Sequence, residues 1–177
     1  MKKILSKASK IKLLIFDVDG VLTNGSLFIG DDGQEYKAFN SKDGLGMKML
    51  QQTNVKIAII TARSSNVVTQ RMQSLGINHV YQGQAEKLPA FEKILTELDL
   101  TNEQVAYVGD DVVDLPVMLK VGLSITVADA HHLVKKHAHW ETLSSGGDGA
   151  AREVCELIMQ AQGTLSDQFK PYLGDSI

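Results

Sequence analysis

Residues 11–23 have the sequence IKLLIFDVDGVLT, in which a short apolar run ends at two carboxylates. The run Leu13–Phe16, followed by Asp17, Asp19 and Gly20, predicts a buried β-strand with a polar site at its carboxyl end. In open α/β sheets, ligands bind at that end of the strands. Side chains two positions apart lie on one face of a strand, so Asp17 and Asp19 repel each other unless a cation or a shared proton lies between them. A solvated turn is the alternative, since Asp-Gly is typical of turns.

The composition predicts one globular domain that spans residues 1–177. Hydrophobic residues make up 44% of the chain and charged residues 22%, which is ordinary for a protein with a sizeable core. The net charge of −3 and the lack of a basic stripe argue against nucleic acid as a partner. No apolar run approaches the ~20 residues that span a bilayer, so we expect no membrane partner and a cytoplasmic location. Cys155 is the single cysteine, which excludes an intramolecular disulfide.

Short apolar runs alternate with amphipathic segments along the rest of the chain. We predict strands at 55–60, 79–81, 105–108, 123–127 and 139–142, and helices that end near Gln52, Leu75, Leu98, Val121 and Gln162. This alternation predicts an α/β fold, a Rossmann-like doubly wound and mostly parallel sheet with helices on both faces.

Residues 26–39 contain two strand-like runs around an Asp-Gly turn, which predicts a small β-hairpin flap. The spacing from Asp19 to Thr61 accommodates this hairpin, one helix and one strand, but no cap domain. A site without a cap is open to water, which weakens electrostatic catalysis. We therefore expect a homo-oligomer in which a partner subunit closes the site and the hairpin makes the contact. Residues 163–177 show little periodicity and are predicted to form a flexible tail or to dock on a neighbour.

Polar residues follow three of the predicted strands. Thr61 comes directly after the strand at 55–60, and Asp110, Asp111 and Asp114 follow the strand at 105–108. The carboxyl ends of parallel strands meet at one edge of a sheet, so these side chains and the Asp17/Asp19 pair converge. Lys87 lies at the start of a helix, the end at which a cation is unfavourable, and it can reach the same edge. Carboxylate oxygens suit Mg²⁺, and phosphoryl transfer mainly requires positioning and neutralised charge.

This constellation resembles the haloacid dehalogenase superfamily of phosphohydrolases. Its four motifs correspond here to Asp17-Val-Asp19-Gly-Val-Leu-Thr23, Thr61, Lys87 and Gly109-Asp-Asp-x-x-Asp114. The resemblance implies that Asp17 is the nucleophile that forms an aspartyl-phosphate, and that Asp19 protonates the leaving oxygen and then activates water.

The resemblance also implies a set of ligands. Mg²⁺ is expected on Asp17, on the backbone carbonyl of Asp19 and on Asp110, while Thr61 and Lys87 bind the phosphoryl oxygens. Asp114 or Asp111 is expected to orient Lys87 or a water on the metal, and the pattern leaves that choice open.

In finer detail the chain is similar to the capless branch of the superfamily that contains the 3-deoxy-D-manno-octulosonate 8-phosphate phosphatases. The similarity lies in residues 16–25, 39–44, 60–63 and 147–153. It implies a Mg²⁺-dependent tetramer that acts on a phosphorylated sugar acid in lipopolysaccharide precursor synthesis. Related enzymes use other nonulosonate phosphates, which remain an alternative.

The same likeness makes a group of residues candidates for binding the substrate: Asn40, Ser41, Lys42, Asp43, Gly44, Arg63, Arg71 and Lys87. A carboxylate on the sugar suits an arginine fork or a helix N-terminus. From the residues alone, Ser41 or Asp43 could equally be a helix cap, and each arginine an ordinary surface residue.

Three other functions use similar residues. A phosphorelay receiver domain also holds an aspartyl-phosphate on a parallel sheet, but it has no need of a second acid two residues after the nucleophile. The intact Asp17 and Asp19 argue against a non-catalytic regulatory subunit. The lack of a cap argues against a phosphomutase, which usually needs a cap to retain its intermediate. Turnover of a generic phosphate ester distinguishes an enzyme from a receiver.

Overall fold

The structure, a computed structural model, describes residues 1–173. Its strands are β1 (Leu13–Phe16), β2 (Phe28–Ile29), β3 (Glu35–Tyr36), β4 (Lys56–Ile60), β5 (His79–Tyr81), β6 (Val105–Gly109), β7 (Leu123–Thr126) and β8 (Trp140–Glu141). Its α-helices are α1 (Lys2–Ala8), α2 (Ser41–Gln51), α3 (Asn66–Leu75), α4 (Lys87–Leu98), α5 (Leu115–Met118), α6 (His132–His137), α7 (Ala150–Ala161) and α8 (Leu165–Leu173).

Six strands form the main sheet in the order β5-β4-β1-β6-β7-β8, and every neighbouring pair is parallel. Strand β1 lies at the centre, where Phe16 is level with Ile59 of β4 and with Val108 of β6. The residues that follow these three strands therefore meet at one edge. The predicted parallel α/β sheet is confirmed.

Alternate residues of β1 face two separate cores, as a doubly wound sheet requires. Leu14 and Phe16 pack into the core that includes buried residues of α2, α3 and α7. Leu13 and Ile15 pack into the opposite core, which includes buried residues of α4 and α5. All four side chains are fully buried, so β1 is held from both faces and both edges.

The predicted hairpin is present as the antiparallel pair β2 and β3, with Phe28 opposite Tyr36. It is separate from the main sheet. Leu27, Phe28, Ile29 and Tyr36 are between 46% and 63% exposed, so the hairpin presents an apolar surface to solvent.

The C-terminal segment differs from its prediction as a flexible tail. Residues Leu165–Leu173 form α8, on which Leu165 and Phe169 pack against the core next to α7. These two residues are four positions apart and share one face of the helix. Proline disfavours a helix interior, so the nearby Pro171 argued against a helix here in the sequence. The last four residues of the predicted tail lie outside the described residues. Within residues 1–173, no helix is both long and apolar enough to cross a membrane.

Candidate active site

Three candidate residues, two catalytic and one metal-binding, lie at the carboxyl edge of the sheet because each directly follows a central strand. Asp17 continues β1 and its backbone N–H donates to the Val108 carbonyl at 3.0 Å. Thr61 follows β4 and Asp110 follows β6, as predicted from the strand ends. Asp17 and Thr61 are buried. Carboxylate oxygens of Asp17, Asp110 and Asp114 lie within 4.8 Å of one another.

A glycine lets the turn after Asp19 pack against this cluster. Gly20 has a φ of +90°, a conformation that disfavours any side chain. A Cβ atom there would lie 2.1 Å from the Asp110 carboxylate. From the other side, Gly147 N–H donates to the Val21 carbonyl at 2.9 Å, and a Cβ atom on Gly146 would lie 1.8 Å from the Gly20 carbonyl oxygen. The turn is therefore enclosed between Asp110 and the loop before α7.

Lys87 reaches the cluster from the first residue of α4. Its ammonium is 2.8 Å from Asp17 Oδ2 and 2.6 Å from Asp114 Oδ1, and its side chain is fully buried. Burial alone lowers the pKa of Lys87, but the carboxylates of Asp114 and Asp17 outweigh this effect and raise it. The two carboxylates thus stabilise a cation at a helix end that would otherwise disfavour it.

Asp114 accepts a hydrogen bond from Lys87 and is itself held by other donors. It is completely buried, and its Oδ1 also accepts a hydrogen bond from the Tyr107 hydroxyl at 2.6 Å. Its Oδ2 accepts from the backbone N–H groups of Asp110 at 3.0 Å and Asp111 at 3.2 Å. The geometry thus favours Asp114 in the choice that the sequence left open. The exposed Asp111 accepts from the Val112 N–H, which caps a short 3₁₀ helix at Val112–Asp114.

The acidic cluster has the properties of a cation site. Burial, followed by the charge of Asp114, raises the pKa of Asp17 to about 6. Burial, followed by the charges of Asp114 and Asp17, raises the pKa of Asp110 to about 8. Asp110 Oδ1 is buried and accepts no hydrogen bond from residues 1–173. A divalent cation with a preference for oxygen ligands, such as Mg²⁺, fits this group of three carboxylates, of which Asp110 makes no ion pair with Lys87.

Asp19 contacts cations that come from two other segments. The ammonium of Lys37, next to β3 in the hairpin, contacts Asp19 Oδ1, and Arg63 Nε is 3.9 Å from Asp19 Oδ2. Glu35 Oε1 lies between the same two cations, at 3.0 Å from Lys37 and 3.2 Å from Arg63. The hydrogen bond from Lys37 is the main cause that lowers the pKa of Glu35.

The residues predicted to bind the sugar acid lie in two different environments. Ser41 and Lys42 are exposed at the start of α2, where Asn40 Oδ1 accepts from the Lys42 N–H at 2.8 Å. Arg63 is 46% exposed beside Asp19. These positions are accessible to a ligand, although Asn40 already serves as the helix cap.

The other predicted sugar-acid residues take part in packing. Asp43 is buried, and its carboxylate accepts from the N–H groups of Gly149 at 3.3 Å and Arg152 at 2.8 Å, at the start of α7. A Cβ atom on Gly44 would lie 2.3 Å from Arg71 Nη2. The same Arg71 nitrogen donates to the Asn40 carbonyl at 3.3 Å, and the guanidinium stacks over the ring of Phe39. Asp43, Gly44 and Arg71 thus make packing and hydrogen-bond contacts within the protein, and their binding of a sugar acid stays a prediction.

Four residues near the site, Tyr107, Lys37, Glu35 and Gly146, were not predicted from the sequence. Tyr107 appears in the sequence only as an apolar strand residue. Lys37 and Glu35 are two residues apart on a predicted strand, a spacing that places them on one face and could have indicated a shared function.

Comparisons with known proteins agree with this geometry. A family model described as haloacid dehalogenase-like hydrolase matches residues 76–154. The chain is 51% identical to the 3-deoxy-D-manno-octulosonate 8-phosphate phosphatase of Salmonella typhi, over 93% of this chain and 87% of that protein. It is 50% identical, over the same shares, to the enzyme of that name from Escherichia coli K12.

Solved structures lead to the same group. A phosphatase of that name from Moraxella catarrhalis, in complex with magnesium, phosphate and KDO, superimposes with a TM-score of 0.95 at 40% identity, over 97% of this chain and 99% of that one. The Yersinia pestis phosphatase of the same name gives a TM-score of 0.92 at 48% identity, over 93% and 89%. The chain therefore belongs to the haloacid dehalogenase-like hydrolases, in the family of the 3-deoxy-D-manno-octulosonate 8-phosphate phosphatases.

Proposed function

We propose that this protein is a Mg²⁺-dependent phosphatase that hydrolyses 3-deoxy-D-manno-octulosonate 8-phosphate to the free sugar acid and phosphate, in lipopolysaccharide precursor synthesis. The observation that carries the proposal is the buried Asp17 carboxylate at the end of the central strand. It is held by Lys87 at 2.8 Å and lies beside Asp110 and Asp114. The identity of about 50% to phosphatases of this name, over nearly the whole chain, supports the choice of substrate.

Asp17 is the nucleophile in this proposal. One of its carboxylate oxygens attacks phosphorus while the bond from phosphorus to the sugar oxygen breaks, and Asp19 gives a proton to that departing oxygen. Water then attacks phosphorus, Asp19 takes the proton of the water, and the bond to Asp17 breaks to release phosphate. Lys87 and Thr61 bind the phosphoryl oxygens throughout both steps, and Asp114 keeps Lys87 in place.

Asp17, Asp110 and the backbone carbonyl of Asp19 would hold the metal. When bound, Mg²⁺ neutralises negative charge between the carboxylates and the phosphoryl group and helps to orient them. The raised pKa values of Asp17 and Asp110 support this assignment, because burial and then the charges of neighbouring carboxylates raise them, and a bound cation would offset both effects.

The sugar end of the substrate extends towards Arg63 and the start of α2 in this proposal. Arg63, Ser41 and Lys42 are exposed, so they can supply cationic and N–H or O–H donors to the substrate carboxylate. Asn40, Asp43, Gly44 and Arg71 support that surface through the contacts described above. Phosphates of other nonulosonic acids share the carboxylate and the ester, so they are the alternative substrates.

A homo-oligomer, with four subunits as in the branch that the sequence resembles, completes the proposal. No cap domain covers the site within the described residues 1–173, and the adjacent hairpin exposes Leu27, Phe28, Ile29 and Tyr36 to solvent. An exposed apolar patch beside an open site is typical of an interaction surface. We place the enzyme in the cytoplasm, where sugar-phosphate precursors are made.

Phosphate release from 3-deoxy-D-manno-octulosonate 8-phosphate tests the function. We expect turnover with Mg²⁺, loss of turnover with EDTA, and loss in a folded Asp17→Asn variant. Hydrolysis that survives Asp17→Asn would overturn the assigned nucleophile, and faster turnover of another sugar-acid phosphate would overturn the assigned substrate. A protein that becomes phosphorylated but does not turn over would indicate a receiver domain instead.

A further inference from the structure

The hairpin is connected to the active site by a closed set of four charged side chains. Going around the set, Asp19 contacts Lys37, Lys37 contacts Glu35, Glu35 contacts Arg63, and Arg63 approaches Asp19. Positive and negative charges alternate, so each member has neighbours of the opposite sign. Two members come from the hairpin, one from the turn after β1 and one from the loop after β4.

Lys37 is the least exposed member of this set. Its side chain is 1% exposed, against 20% for Asp19, 16% for Glu35 and 46% for Arg63. A lysine on a two-stranded hairpin normally extends into solvent, because its ammonium is strongly hydrated. A buried ammonium requires partners, and Lys37 has two carboxylates within contact distance.

The contact with Asp19 is one-sided. Lys37 contacts Oδ1, whereas no donor hydrogen-bonds to Oδ2 within residues 1–173, and Arg63 Nε lies 3.9 Å from Oδ2. A carboxylate fixed through one oxygen keeps the other oxygen available for proton transfer. The bond from Lys37 also restricts rotation of the Asp19 side chain, and such pre-organisation is how enzymes hold a general acid in line with a leaving group.

We propose that Lys37 is a positioning residue through which the hairpin fixes the side chain of Asp19 for proton transfer. Glu35 is the second partner that holds the Lys37 ammonium in place. This inference rests on the proposed function, because it assigns Lys37 to the proton transfer between Asp19 and the ester oxygen. It also makes the hairpin part of the catalytic unit in addition to its exposed apolar surface.

The leaving group of the substrate provides the test. Release of p-nitrophenolate from p-nitrophenyl phosphate requires little proton donation, whereas release of an alcohol from glycerol phosphate requires a general acid. Neither ester has a carboxylate, so recognition of the sugar acid does not enter the comparison. The ratio kcat/KM includes only the steps up to phosphorylation of Asp17, so it isolates the step in which Asp19 acts as an acid.

We expect kcat/KM of a Lys37→Met variant to fall about tenfold more for glycerol phosphate than for p-nitrophenyl phosphate. Lys37→Arg should restore most of the difference, because a guanidinium keeps the cation and the donor. Lys48→Met, a change at an exposed lysine of α2, is the matched control and should leave the ratio unchanged. Lys37→Gln provides the same comparison if methionine disturbs the hairpin, and thermal unfolding verifies that each variant is folded.

An equal loss for both esters would overturn the inference, since a purely structural hairpin contact affects both reactions alike. No loss for either ester would also overturn it. Turnover of the two esters by the unchanged protein tests the proposed phosphatase activity, whereas the change in their ratio tests the position of Lys37. The two failures are therefore distinguishable.

Discussion

Replacing Asp110 with asparagine should make the metal-free protein more stable and remove its stabilisation by Mg²⁺. In the folded protein, burial and the charges of Asp114 and Asp17 raise the pKa of Asp110 from an ordinary 3.8 to about 8. Because the folded form binds the proton more tightly than the unfolded chain does, this group stabilises the fold only at acidic pH. Its contribution is complete below about pH 4 and is lost as the pH rises towards 8.

The size of the effect follows from the same pKa values. About three pH units separate the ordinary value from pH 7, and each unit is worth about 1.4 kcal/mol. The upper limit for the gain in free energy of unfolding is therefore about 4 kcal/mol for Asp110→Asn at pH 7 in EDTA. For a chain of this length, a gain of that size corresponds to a rise in Tm of about 10 °C. A neutral amide can also donate to the neighbouring carboxylates, which favours the variant further.

Thermal unfolding in EDTA and in saturating Mg²⁺, at pH 4 and at pH 7, measures these differences. Mg²⁺ at a hundred times its Kd should stabilise the unchanged protein by about 2.7 kcal/mol and the variant hardly at all. At pH 4 the two proteins should unfold at similar temperatures. Asp31→Asn, an acid-to-amide change at an exposed hairpin residue, is the control and should alter neither comparison. A variant that is less stable than the unchanged protein in EDTA, or equally stabilised by Mg²⁺, would refute the assignment.

Three further changes probe the parts of the site. Tyr107→Phe removes a hydrogen bond to the buried Asp114 carboxylate, and we expect thermal unfolding to show a loss of about 1.5–3 kcal/mol in stability, together with a lower kcat. Gly146→Ala places a methyl group 1.8 Å from the Gly20 carbonyl oxygen. We therefore expect the free energy of unfolding to fall by at least about 1–3 kcal/mol and most activity to be lost. A near-normal kcat would contradict the close packing of this loop. Arg63→Ala should raise KM for the acidic sugar phosphate more than for a neutral phosphate ester, and equal increases would indicate that Arg63 serves the phosphoryl group.

The position of the site at the carboxyl edge of the sheet could be predicted because the ends of the strands follow from simple patterns. Asp17, Thr61 and Asp110 each follow an apolar run, and parallel strands bring such positions together whatever the details of packing. Lys87 could be recognised as unusual because it lies at the wrong end of a helix for a cation. The two carboxylates that contact it in the structure explain that position.

The remaining features depend on tertiary packing that no local pattern specifies. Lys37 reaches Asp19 because the hairpin packs beside the site, and hydrophobic periodicity carries no information about that packing. Tyr107 lies on β6, and its hydroxyl donates to Asp114. Both faces of a buried strand are apolar, so the sequence does not indicate which of its residues contact the site. The roles of Asp43 and Arg71 were ambiguous for a related reason, since the same side chain can bind a ligand or cap a neighbouring helix.

The contact of Gly146 and Gly147 with the turn after Asp19 has a consequence for synthesis of the protein on the ribosome. Asp17, the proposed nucleophile, is translated well before Gly146 and Gly147, which lie in the loop that encloses the turn after Asp19. At about 5–20 residues per second, the nascent polypeptide spends roughly 6–25 s with Asp17 and Asp19 made and their enclosure still missing. Premature termination before this loop would thus leave a fragment that has every acidic group of the site and yet lacks the support that shapes it.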